Sequence, residues 1–268
     1  MKTFELKKLS QALVGLAFVA FGNSAMAGWD LNTSCAPEGG LVTNVLHNCG
    51  SNVTVSGFST SGTAGAVFAA ASIYNWSSGL GVVASNEVYT TDGPHAADNI
   101  GGTDAILIKF DVATSLTSAV VGWNGTDNPT TIASGAGAGS YTDSDLSVLA
   151  WTGPGTPGAV SGLTAGGLVG AGWQIIGNYA DIGTATNGNT ASISTAVNSS
   201  YWLVTAYDTA FGTTSKNGGT LGGGNDAFKL ATLTGTTTYK TPEPGSLVLL
   251  GAGLLGMVAI RRRKQLSV

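Results

Sequence analysis

The sequence predicts an all-β protein: a single β-sandwich domain, jelly-roll-like, with long Gly-rich loops and a short apolar segment at each end of the chain. Three observations predict it. No long stretch shows the 3.6-residue apolar period of an amphipathic helix. Short apolar or alternating runs rich in Val, Ile, Thr and aromatics recur instead, separated by clusters of Gly, Asn, Asp, Ser and Thr. Gly supplies 41 of the 268 residues, about twice the usual share, without the G-X-Y period of collagen.

The expected strands cover 52–58, 65–75, 80–90, 104–111, 117–123, 146–152, 172–180, 201–207 and 227–234. In Asp104-Ala-Ile-Leu-Ile-Lys-Phe110, the two-residue period puts Ala105, Leu107 and Lys109 on one face and Ile106, Ile108 and Phe110 on the other. The run Tyr201 to Tyr207 likewise aligns Tyr201, Leu203, Thr205 and Tyr207. Residues 124–145 and 153–171 hold much of the Gly and small polar content and are expected as long loops. Thr232 to Thr241 is Thr-rich and is expected as a last strand passing into an extended stalk. The chain therefore divides into a signal peptide at 1–27, the β-sandwich at 28–235, a linker at 236–241 and a C-terminal device at 242–268. A sandwich of about 200 residues buries enough surface to fold without a metal.

Charge narrows the function. Only 10% of residues are charged and 43% are apolar, which argues against disorder by self-repulsion. The formal net charge is −4, and 11 Lys and Arg make a nucleic-acid partner unfavourable. That −4 averages unlike parts. Seven of the basic residues lie in the two terminal segments, so Gly28 to Lys240 has four Lys, no Arg and 13 acids, a balance of 4 − 13 = −9.

At the N-terminus, Lys2, Lys7 and Lys8 precede an apolar run at 12–21 too short for a stable anchor. Ala25, Met26 and Ala27 then supply the small-x-small pattern required by signal peptidase, which predicts cleavage after Ala27 and export by the general secretory route. At the C-terminus, Pro242, Glu243 and Pro244 precede an apolar run at 246–260, closed by Arg261, Arg262, Arg263 and Lys264. As a transmembrane helix those fifteen residues span about 22 Å, short of the roughly 30 Å hydrocarbon core. The basic cluster would sit on the cytoplasmic side and reach outward to make up length.

These three ordered elements resemble the PEP-CTERM sorting signal. The resemblance implies a temporary membrane anchor that exosortase, an integral-membrane cysteine protease, recognises and cuts near Pro242-Glu243-Pro244. It further implies delivery of the body to the cell surface or extracellular matrix. A second, fainter likeness runs through His95-Ala-Ala-Asp98-Asn99, Asp104 to Phe110, Gly122-Trp123 and Asp143-Ser-Asp145 to Leu149. It is similar to a block in some exosortase-dependent surface proteins, and it imports a class and no mechanism.

Cys35 and Cys49 are the only cysteines, both early in the exported part. An oxidising compartment favours a disulfide over free thiols or a metal pair. Asp92, Asp98, Asn99 and Asp104 make the richest polar stretch, and Asp143 and Asp145 lie two residues apart. Oxygen donors of this kind suit Ca²⁺, although the spacing matches no EF-hand and Asp and Asn serve turns equally well. Otherwise no cofactor is expected. The Asp143/Asp145 pair also admits acid–base hydrolysis of glycosides. Trp123 and Trp151 flank the 124–145 loop and are the candidates for stacking on sugar rings.

Catalytic sets are missing: the chain has two His, no G-x-S-x-G, no H-E-x-x-H and no P-loop lysine. The expectation is a noncatalytic surface or matrix protein associated with exopolysaccharide or biofilm. A lectin-like, Ca²⁺-dependent carbohydrate-binding sandwich is the alternative, and a glycoside hydrolase comes third.

Overall fold

A computed structural model describes residues 24–35, 41–42, 47–50, 52–60, 65–85, 95–125, 144–222 and 226–238. The strands are β1 (Ser24–Asp30), β2 (Leu41–Val42), β3 (His47–Asn48), β4 (Val53–Ser59), β5 (Ala69–Trp76), β6 (Gly79–Val83), β7 (Ala97–Asp98), β8 (Asp104–Asn124), β9 (Ser144–Trp151), β10 (Trp173–Ile182), β11 (Thr190–Ser192), β12 (Ser199–Ala206) and β13 (Ala227–Thr238). Two short helices, α1 (Leu31–Ser34) and α2 (Ala165–Ala171), complete the set with a 3₁₀ turn at Thr209–Phe211. The all-β expectation holds, and each expected strand finds a counterpart.

One merger stands out. The expected strands at 104–111 and 117–123 are a single strand, β8, of 21 residues. The intervening Val112-Ala-Thr-Ser-Leu116 contains no Gly or Pro, so nothing breaks the extended backbone. The strand changes partners instead. Its first half pairs with β4 and β12, its second half with β13 and β11, and Thr114 is where the β12 and β13 registers meet.

That exchange organises the sheet. The path β10–β9–β12–β8–β4–β5–β6–β13 returns to β8 through the β13–β8 pairing, closing a circuit of five strands. All the pairings around the circuit are antiparallel. An odd number of straight antiparallel neighbours cannot close, because direction must alternate. β8 resolves the parity by turning as it passes from one partner set to the other.

Alternation then builds two cores from the same strands. Ile106, Ile108 and Phe110 of β8 pack with Val148, Trp202 and Val204 and reach Leu80, Leu230 and Leu233 inside the circuit. Ala105, Leu149 and Leu203 face the other way and pack under Phe68, Leu168, Trp173 and Phe211. The second core needs a cover, and residues 153–171, expected as loop, supply it through α2. Three Gly in seven residues give α2 poor intrinsic propensity. It forms because Leu168 is buried, the Thr164 hydroxyl accepts from the Gly167 N–H at 2.9 Å, and Gly172 closes the end with φ +113°.

The β5–β6 hairpin meets β13 closely at Gly79. A Cβ there would lie 2.8 Å from the Leu230 carbonyl, and φ is +131°, so no other residue fits. Cys35 and Cys49 form the expected disulfide, with Cys49 in the inner core. Closing a loop of sequence separation 14 contributes about 3 kcal/mol in the chain-entropy account.

The two ends of the sheet are finished differently. Beyond β10 runs the segment at 215–217. The Lys216 N–H donates to the Asn178 carbonyl, and the Asn217 side-chain amide both accepts from the Ala180 N–H and donates to its carbonyl. That amide stands in for a further strand. At the other end β1 lies against β13. The Thr237 hydroxyl donates to the Ala25 carbonyl, while the Asn32 carbonyl accepts from Asn75, which pairs with Leu80 and through it lies beside Leu230. β1 therefore runs antiparallel to β13, starting where β13 ends.

Candidate functional site

Three places hold the chemistry. The first gathers carboxylates from distant parts of the sequence. Asp104 opens β8, Asp145 lies in β9, and Asp226 sits just before β13; all three are buried. The carboxylate of Asp226 accepts from the Asp145 N–H at 2.7 Å and from the Asn99 side chain at 2.7 Å. Asn99 returns the bond, its Oδ1 accepting from the Asp226 N–H at 2.9 Å. The carboxylate of Asp145 accepts from the N–H groups of Asp181 and Gly222, and that of Asp104 from the N–H of Asp98. Asp98 in turn accepts from the Ile100 N–H at 2.9 Å. Each carboxylate is met by backbone donors, the arrangement that makes a buried negative charge tolerable. Tyr207 beside them is held above the usual tyrosine range, by burial and by the charges of Asp145, Asp208 and Asp226.

This is where four of the six candidate metal ligands fall. Asp98, Asn99, Asp104 and Asp145 join one hydrogen-bonded region with Asp226, while Asp92 and Asp143 lie outside the described residues. Among the described residues no group of three or more His, Cys, Asp or Glu is arranged to hold a metal ion. Asp226 ends the run Gly222-Gly-Gly-Asn-Asp, which in sequence resembles one unit of a Ca²⁺-binding Gly-rich repeat but, unrepeated, reads as a hairpin loop; nothing local joins it to Asp98, Asn99, Asp104 and Asp145.

The second place is a cavity of about 460 Å³ beside that region. Asn99, Thr103, Asp208, Thr60 and the start of α2 line it. The Thr103 hydroxyl donates to Asp208 at 3.1 Å, and the Ala210 N–H donates to the same carboxylate at 2.8 Å. Hydroxyls, one amide and one carboxylate, with no cationic side chain, suit a neutral polyhydroxylated molecule.

The third place is a buried lysine. Lys229 on β13 is 4% exposed, and its Nζ lies 4.3 Å from the ring centroid of Trp76 and 4.8 Å from that of Trp123. Burial lowers its pKa to about 8. Trp123 is thus half-buried with its ring against a cation. Trp151 is half-buried as well: it packs edge-on to Trp173 at 5.7 Å, and its Nε1–H donates to the Gly155 carbonyl. The two belong to separate environments, one at the β8–β13 pairing and one in the capped outer core.

Of the terminal signals, Ala25 and Ala27 are described and lie within β1. Pro242, Glu243, Pro244, Arg261, Arg262, Arg263 and Lys264 lie outside the described residues. Among the described residues no helix is long and apolar enough to cross a membrane.

Comparison with known proteins decides the tail. Residues 240–264 match the family model of the PEP-CTERM protein-sorting motif. The chain carries a PEP-CTERM sorting motif. The match covers Pro242-Glu243-Pro244, the apolar run and the basic cluster, as the sequence led one to expect. The PEP-CTERM motif implies exosortase-dependent sorting of an exported protein, with a membrane-associated tail before processing. No curated protein and no solved structure matches the chain.

Proposed function

We propose that the protein is a noncatalytic component of the cell surface or extracellular matrix, associated with exopolysaccharide or biofilm and released to its place by exosortase. The single observation that carries this is the PEP-CTERM motif at residues 240–264. The leader supports it: signal peptidase would act after Ala27, and exosortase near Pro242-Glu243-Pro244. The disulfide suits an oxidising destination. The closed, bent sheet is read as a sandwich of jelly-roll type, because β8 carries the chain from one set of partners to another.

Intact mass and fractionation of the native protein, with and without exosortase, test the reading. The expected mature chain begins at Gly28, ends near Pro244, and loses its membrane fraction only when exosortase is present. A native chain that keeps residues 242–268 in the presence of exosortase, or a location unchanged when they are deleted, would sink it.

Carbohydrate binding is the second reading, and the polar cavity beside Asp208 favours it. Pull-down on polysaccharide from the producing cell, with and without EDTA, tests it. Retention that EDTA abolishes supports Ca²⁺ at Asp98, Asn99, Asp104 and their neighbours; no retention removes the reading. Glycoside hydrolysis ranks below it. It requires turnover that Asp143→Asn or Asp145→Asn removes, yet both oxygens of Asp145 already accept from backbone.

A further inference from the structure

The point of leader cleavage lies inside a strand. β1 spans Ser24–Asp30, and cleavage after Ala27 would remove its first four residues while leaving Gly28, Trp29 and Asp30. The remnant stays anchored. Trp29 packs on Phe110 at 4.5 Å between ring centroids, and Asp30 caps α1 by accepting from the Asn32 N–H. The removed part is the part beside the end of β13. Counting antiparallel from the Ala25–Thr237 contact, Ala25 to Ala27 cover Gly235 to Thr237.

From Ala231 to Thr238 there is no charged residue and no Pro, and five of the eight residues are Thr. Thr232, Thr234 and Thr236 alternate with the more deeply buried Leu233 and Thr237. Natural edges are guarded by charge, Pro or a covering segment. The β10 edge has its cover in Asn217, and in the uncut chain β1 covers β13. Once cut, this stretch has no charge, and among the described residues no other segment covers it. Pairing along it opposes no like charges, although Gly28 to Lys240 carries a balance of −9.

We propose that leader cleavage opens the Gly235–Thr237 edge of β13, and that a second copy of the mature chain pairs there, antiparallel and two-fold symmetric about Thr236. Such a pair is self-complementary, since each Thr on one copy faces a Thr or Gly on the other. The proposal rests on the export reading for the cut after Ala27, and it is independent of any glycan.

The test uses the full chain in exporting cells. The protein has no free cysteine, so Thr236→Cys introduces one reactive thiol. The mature protein is expected to cross-link to a dimer through residue 236, whereas Thr190→Cys on β11 does not. Ala27→Phe blocks signal peptidase, keeps residues 25–27 on β13, and should abolish the dimer cross-linked through position 236. Thr236→Lys places like charges face to face and should weaken the dimer about five-fold or more by concentration-dependent sizing. A Thr236→Cys chain that starts at Gly28 and forms no cross-linked dimer overturns the proposal and leaves the export reading intact. Equal cross-linking with the leader retained overturns it too, as does cross-linking only to a different protein. A wild-type chain whose mass shows the leader uncut overturns both readings.

Discussion

The protein buries charge in two regions by opposite means. Around Asp145 and Asp226, carboxylates are wrapped in backbone N–H donors and a side-chain amide. At the start of β13, three residues after Asp226, the Lys229 ammonium is set between two indole faces. Hydrogen bonds replace lost hydration almost one for one. A ring quadrupole returns only part of it. The difference shows in titration: burial lowers Lys229 to about 8. One region holds its charge as a structural member, and the other holds a charge that the fold disfavours.

The comparison breaks most easily at Asp226. Asp226→Ala removes the carboxylate that accepts from the Asp145 N–H and one of two acceptors of the Asn99 side-chain amide, which keeps the Tyr207 carbonyl, and is expected to cost about 3–5 kcal/mol in urea unfolding. A loss below about 1 kcal/mol would mean that water replaces the carboxylate at no cost. The reverse is expected at the lysine. Lys229→Met keeps the stem's volume and drops the charge, and should raise stability at pH 7 by about 1–3 kcal/mol. Destabilisation there would show that the indole clamp outweighs desolvation.

The pH profile sharpens the same point. Lys229 has a folded pKa of about 8 against the ordinary lysine value of 10.5. Between these values the unfolded chain binds the proton that the folded chain has released, so stability rises with pH. The gain from pH 8 to 10 is about 2 kcal/mol. It should vanish in Lys229→Met. Above about pH 10 the sign turns, because Tyr179, raised to about 12 by burial, keeps its proton in the folded state while the unfolded chain loses it. Thermal or urea unfolding across about pH 7–11 reads both limbs. The smallest effect is expected at Thr103→Val, which removes one hydroxyl bond to the half-buried Asp208. Water replaces it, so the loss should be about 1 kcal/mol or less, while any polysaccharide binding in the cavity should weaken.

Much of this was legible beforehand, and the exceptions have particular causes. The strands around 104–110 and 201–207 were legible because alternation and β-branched content act locally. The pairing of Cys35 with Cys49 was legible because there is no other choice. α2 was hidden because its glycines lower its propensity, and only the outer face of Ala105, Leu149 and Leu203, which the assembled sheet creates, calls for a cover. Asp98, Asn99, Asp104 and Asp145 stood out as polar clusters. That Asp226 joins them, across 127 positions from Asn99, follows from how β13 folds back beside β7. Trp123 and Trp151 looked like a pair flanking a loop, yet they belong to separate environments, since sequence proximity to one loop does not fix which strand pairing each end enters.

By itself the sequence determined the sorting class. A PEP-CTERM tail, a disulfide and an all-β body are each encoded in contiguous residues or in composition, and none needs long-range contacts to be recognised. Only the tertiary structure decided that β8 is one turning strand closing a five-membered circuit. It alone decided that Asp226 completes the buried carboxylates, that Lys229 lies between Trp76 and Trp123, and that Ala25 ends up beside Thr237. Those facts depend on which strands become neighbours. That choice is made by the summed burial of the whole sheet rather than by any local run of residues.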